Sequence, residues 1–130
     1  MSSANKRKGT KFETDLLGYI RGWVSMAQTK WAVERSALTG AKDEGDLHID
    51  FGDVVLVLEA KNAKTPEWAQ WLREAEVEAA NWSVARGNRD NVYGVVVRKR
   101  PRTTALDSLC VLPLHALLHM MKTLTNGTDK

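Results

Sequence analysis

The chain has 130 residues, 43 % hydrophobic and 27 % charged, which suffices for one domain with one core and is too short for two. A formal charge of +3 permits nucleic acid as a partner without requiring it, and a single cysteine excludes a disulfide framework or a cysteine-based zinc site. No stretch has the apolar core of a signal peptide or the length of a membrane span, so a cytoplasmic, reduced setting with no membrane contact is expected.

Residues 1–8, with Lys6, Arg7 and Lys8, read as a loose basic end. Thr10 is placed to cap a helix whose apolar residues Phe12, Leu16, Tyr19, Ile20 and Trp23 follow a 3.6-residue period, and Gly22 marks its expected end. Residues 29–35 alternate enough for a short strand, and 36–45 are rich in turn formers. The segments 46–51 and 54–61 flank Gly52-Asp53 and predict two antiparallel strands on a tight turn. Thr65-Pro66 predicts a helix start, followed by the apolar stripe Trp68, Trp71, Leu72, Ala75, Ala79 and Trp82. Residues 92–97 are nearly all apolar, as in a strand covered on both faces. A last short strand at 109–113, a helix over 114–122 and a loose tail at 123–130 complete a single domain. The order α-β-β-β-α-β-(β)-α predicts an α/β fold with a mixed sheet and helices packed against it.

The second hairpin strand carries Glu59 and Lys61 on the same face as Val55 and Val57. With Gly52-Asp53 as the turn, paired positions sum to 105 and Asp46 lies across from Glu59; a four-residue loop keeps the same parity. Directly opposed side chains are about 5 Å apart at Cβ, and two carboxylates near 4 Å repel by roughly 4 kcal/mol. Lys61 offsets part of that, and a hard divalent ion bound through oxygen would offset the rest. Such a site suits phosphodiester hydrolysis. The plainer reading is a strand end leaving the core with a solvated Glu–Lys pair.

Glu13 closes the capping-box pattern at 10–13 yet also leads the row Leu17, Ile20, Val24, at the border of a buried face. Glu78 flanks the second helix's stripe and aligns with Glu74 and Asn81, either as an ordinary charged flank or as an auxiliary acid. His48 shares the face of Asp46. His115 and His119 have zinc-binding spacing but no third ligand. The five tryptophans could stack on unpaired bases, but Trp68, Trp71 and Trp82 fit the second helix's core stripe, so core or dimer contact is expected of them.

The segment at 8–13, then Gly45-Asp46, then Glu59-Ala60-Lys61, resembles the PD-(D/E)xK nuclease superfamily. Within it the chain is most similar to RecB-like and archaeal-type Holliday junction resolvases, including phage-encoded ones, over about residues 6–100. The resemblance implies a restriction-endonuclease-like fold, a mixed sheet with the E-x-K strand at its centre. It implies Asp46 and Glu59 as carboxylates for Mg²⁺, replaceable by Mn²⁺, with the Ala60 carbonyl and Glu13 as further ligands. It implies Lys61 as the catalytic lysine, no organic cofactor, and a two-fold homodimer acting on branched DNA. Arg35 resembles a position that contacts DNA backbone, and Lys8, Lys11, Arg98 and Lys99 are the other candidates for gripping phosphate. Gly45 stands where the motif's name has proline. Action on flaps, forks or single strands, and a DNA-binding module without catalysis, are the alternatives.

Overall fold

The computed structural model describes the backbone of residues 3–36 and 45–128, with side chains over 9–36 and 45–126. The side chain of Lys8 and all but the ends of the expected loop at 36–45 lie outside the described residues.

Helix α1 spans Ser3–Met26 and passes through both of its expected boundaries. Ala4, Lys6, Arg7 and Lys8 are strong helix formers, so the helix starts well before Thr10 and residues 3–8, read as part of a loose end, belong to it. Thr10 is interior, so it caps nothing and the capping-box reading of Glu13 falls. Gly22 does not stop the helix either. One interior glycine costs only about 1 kcal/mol, and buried Val24 lies beyond it. The helix ends instead where Gln28 turns left-handed at φ 58° and the Thr29 amide bonds the Val24 carbonyl at 3.2 Å.

Strand β1 (Ala32–Arg35) is shorter than expected, because residues 29–31 carry the exit from α1. Strands β2 (Leu47–Asp50) and β3 (Val55–Lys61) pair antiparallel with Leu47 opposite Leu58 and Asp50 opposite Val55, the register that sums to 105. Helix α2 (Trp68–Ala85) begins two residues after Pro66, and β4 (Val92–Arg98) returns parallel to β3. A 3₁₀ turn, η1 (Ala105–Asp107), precedes β5 (Leu109–Val111). Helix α3 (Leu114–Thr128) continues through residues 123–128, which had read as tail. The sheet order is β1-β2-β3-β4-β5, with β3 central and the β3–β4 pair parallel while the others are antiparallel. This is the expected mixed α/β class.

The pleat sorts the core into two layers. Leu58, Val95 and Val97 pack with Leu47 against Phe12 and Leu16 of α1. Val55, Val57 and Val96 point the other way, against Trp71, Ala75, Ala79 and Trp82 of α2. The predicted α2 stripe is therefore its core face, and β4 is buried on both sides because the helices cover opposite faces of the sheet. No helix among the described residues is long and apolar enough to cross a membrane.

At the sheet end carrying the β2–β3 turn, Arg89 grips Asp50 through both carboxylate oxygens and also donates to the Gly52 carbonyl at 2.9 Å. The Arg89 hydrogen bonds hold the Asp50 pKa below its ordinary value, against a smaller opposing effect of burial. A depressed carboxylate pKa stabilises the fold above the unfolded value of about 3.9, and that contribution disappears as pH falls through the folded value. Asp50→Asn should cost about 1–2 kcal/mol at neutral pH. Urea midpoints of the two proteins should draw together as pH falls below the unfolded value of about 3.9; a gap that stays constant as pH is lowered would remove this assignment.

Candidate active site

The opposite end of the sheet gathers the predicted site residues. Asp46 sits just before β2 and is fixed on both sides by backbone. Its carbonyl accepts from the Ser36 amide and its amide donates to the Leu58 carbonyl, each at 3.0 Å. Its Oδ2 accepts from the Ala60 amide at 2.8 Å, which puts the carboxylate beside the middle residue of Glu59-Ala60-Lys61. Gly45 makes this approach possible. At φ +85° it adopts a conformation proline cannot reach, and a Cβ there would lie 2.6 Å from Val57 Cγ1. The departure from the motif's proline is thus a backbone requirement of this chain.

Glu59 and Lys61 point to the α2 side of β3. Glu59 is buried, and its Oε1 lies 3.4 Å from Lys61 Nζ. Lys61 also bonds Glu74 Oε2 on α2 at 3.0 Å, and its ammonium stands 5.7 Å from the Trp71 ring centre. Burial works against this ammonium, but the Glu74 hydrogen bond and the nearby Glu59 charge outweigh it and leave its pKa above the ordinary lysine value. Burial likewise opposes the charged form of Glu74, and hydrogen bonds from Gln70 and Lys61 outweigh it, leaving that carboxyl below its usual range. The solvated-pair reading of Glu59 and Lys61 therefore does not describe this strand end.

Glu78 is only 5 % exposed. Its Oε2 lies 3.6 Å from where a Gly45 Cβ would stand, so it borders the Asp46 segment and is not an ordinary solvated flank. Glu74 was missed as a site residue. Its one sequence signal was its position a single helical turn before Glu78, on the row that faces the end of β3.

Glu13 approaches from the other side of the sheet. It lines a cavity of about 300 Å³ with Thr10, Arg35, Ser36, Gly45 and Asp46, so α1, the end of β1 and the segment entering β2 share that opening. Arg35 donates to Thr14 Oγ1 at 2.9 Å at its rim. The other basic candidates divide. Lys11 pairs with Asp15 one helical turn along, at 2.8 Å. Arg98 donates to the carbonyls of Ala63 and Lys64 at 3.3 and 3.2 Å and lies over Trp68, so it holds the loop after β3 in place. Lys99 and Lys64 line a separate cavity of about 320 Å³ beside that loop.

His48 is buried on the α2 side with its ring 5.2 Å from that of Trp82 and its Nε2 3.7 Å from Glu34 Oε2. His115 and His119 face each other across one turn of α3. Trp23, expected in the apolar row of α1, is exposed instead and stacks on exposed Trp31 at 5.7 Å, with Phe51 behind Trp31.

Among the described residues, no three His, Cys, Asp or Glu side chains lie close enough together to form a metal cluster. The donors at the strand ends are carboxylates and a backbone carbonyl, the hard oxygen set that suits Mg²⁺. That ion is commonly held by one or two carboxylates and completes its shell with water and substrate phosphate, so Asp46 and Glu59 fit it without a third acid.

No protein-family model matches this chain, and no curated protein or solved structure matches it.

Proposed function

We propose that this chain is a Mg²⁺-dependent, structure-selective DNA endonuclease of the PD-(D/E)xK type, with a restriction-endonuclease-like fold and four-way junctions as its first substrate. The observation that carries the reading is the Asp46 carboxylate bonded to the Ala60 amide, with Glu59 and Lys61 on either side of that residue at the end of the central strand.

In this reading Asp46 and Glu59 hold the metal, with the Ala60 carbonyl and Glu13 as further oxygen donors. The bound ion supplies polarisation of the phosphoryl oxygen and a lowered pKa for water. Lys61, steadied by Glu59 and Glu74, orients the attacking water or stabilises charge developing on the phosphate. Glu74 and Glu78 are positioning residues on α2. Arg35 at the Glu13–Asp46 cavity and Lys99 at the cavity beside the loop after β3 would grip phosphate, with Lys11 as a further contact on α1. A four-way junction is two-fold symmetric, so paired nicks call for two copies of the chain.

A second reading has one observation behind it. The exposed Trp23–Trp31 stack suits unpaired bases, which favours flaps or single strands as substrates. One panel distinguishes the two. Labelled four-way junctions, flaps, forks, single strands and plain duplex are incubated with Mg²⁺ or with chelator. Symmetric nicks in the junction, in the Mg²⁺ arm only, are the expected result. Preferential cutting of flaps or single strands would establish the second reading, and no cleavage in any Mg²⁺ arm would reject catalysis.

A further inference from the structure

We infer that the core layer under α1 holds a binding site for a small neutral amphiphile, an apolar body of about two fused rings carrying a single hydroxyl or N–H group. The two layers of the core are filled differently. On the α2 side Trp71 and Trp82 occupy the space against the sheet, whereas Phe12 is the one aromatic in the buried cluster of the α1 side among the described residues. Val95, Val97 and Ala105 are too short to take up the difference, and a cavity of about 290 Å³ lies beside them. Leu16, Leu58, Val95, Val97, Ala105 and Met120 line it, each 8 % exposed or less, so it is a space inside the core and not a patch on its surface. Met120 comes from α3 and, with Ala116, is the covered part of that helix's apolar arc. The exposed lining residues Leu106 and Cys110 mark the opening.

The lining identifies the chemistry of the ligand. No charged side chain borders the cavity among the described residues, so an ion would enter without a partner and a neutral molecule is selected. Ser108 supplies the hydroxyl of the wall. Its amide donates to the Ala105 carbonyl at 3.2 Å, which fixes the residue at the end of η1, while its Oγ is buried and has no hydrogen-bond partner among the described residues. Buried hydroxyls are ordinarily paired, and one in the wall of an apolar cavity is a ready partner for a single polar group on a guest. Water is a poorer match. It needs roughly two or more polar partners, and the side chains of the wall offer this hydroxyl and the weakly bonding Cys110 thiol.

The volume sets the size. An apolar cavity of roughly 150 Å³ holds one benzene ring, so about twice that space suits a body the size of naphthalene. Such a guest gains dispersion contact with Leu58, Val95 and Val97 along its length. Neither Asp46 nor Glu59 lines this cavity, so binding here can be present or absent whatever the chain does to DNA.

Isothermal titration calorimetry of the whole chain with 2-naphthol tests this, with naphthalene-2-sulfonate as the charged molecule of the same frame. The naphthol should bind at a single site and raise the melting temperature, and the sulfonate should do neither. Ser108→Ala should weaken naphthol binding roughly fivefold, and Ala105→Phe, which puts a ring into the cavity, should abolish it. A wild type that takes up no naphthol, equal binding of the sulfonate, an unchanged affinity in Ser108→Ala, or a folded Ala105→Phe chain that still binds would each overturn the inference. Should Ala105→Phe misfold, Cys110 of the unaltered chain decides. Bound naphthol should slow the reaction of that thiol with a disulfide reagent, and an unchanged rate at saturating naphthol places the ligand elsewhere and rejects the site.

Discussion

Asp46→Asn should lower Mg²⁺-dependent cleavage of a four-way junction by about a thousandfold, with folding and junction binding intact. The structure makes this a substitution of charge and little else. Asp46 Oδ2 accepts a hydrogen bond from the Ala60 amide at 2.8 Å, and an asparagine carbonyl can accept the same bond. The backbone contacts to Ser36 and Leu58 involve no side-chain atom and should persist. What disappears is the negative charge that would bind the ion. Asp50 offers an internal control, because it ends the strand that Asp46 precedes and is engaged with Arg89. Asp50→Asn should cut at the normal rate. Nicking rates, gel-shift binding and circular dichroism on the three proteins provide the comparison, and a normal rate for Asp46→Asn would overturn the proposed site.

Gly94→Ala should destabilise the protein by about 3 kcal/mol or more, at the upper end of what overpacking costs. A Cβ at position 94 would lie 2.2 Å from the Ala75 carbonyl oxygen and 2.4 Å from its carbon. Both are helix backbone atoms, so no rotamer change relieves the clash and α2 must lift from β4. The same helix carries Trp71, Glu74 and Glu78, so the displacement should also disturb Lys61 and reduce cleavage at temperatures where the variant is folded. Urea unfolding measures the first effect, with a melting-temperature drop on the order of 10 °C as its thermal counterpart. A loss below about 1 kcal/mol would mean that α2 and β4 are less closely packed than described.

Much of the sheet could be read from the chain because its rules are local. The turn at Gly52-Asp53 and two-residue alternation set the register that places Asp46 opposite the end of β3, and the Trp71-Ala75-Ala79-Trp82 spacing defined the buried face of α2. Helix ends were less legible. Thr10 and Gly22 carry local start and stop signals, but helix formers before one and buried Val24 beyond the other override them. The pairing of Lys61 with Glu74, the burial of Glu78 beside Gly45 and the use of Arg98 to support a loop could not be read at all, since each joins residues from different elements.

The sequence by itself determined the α/β class, the hairpin register and the shared face of Glu59 and Lys61, because backbone periodicity and turn length act over a few residues. Tertiary structure alone decided which carboxylates reach that lysine, which arginines support the fold instead of facing outward, and which half of the apolar arc of α3 its own chain covers. Those outcomes depend on how helices settle on the two faces of the sheet, a matter of distances between segments far apart along the chain.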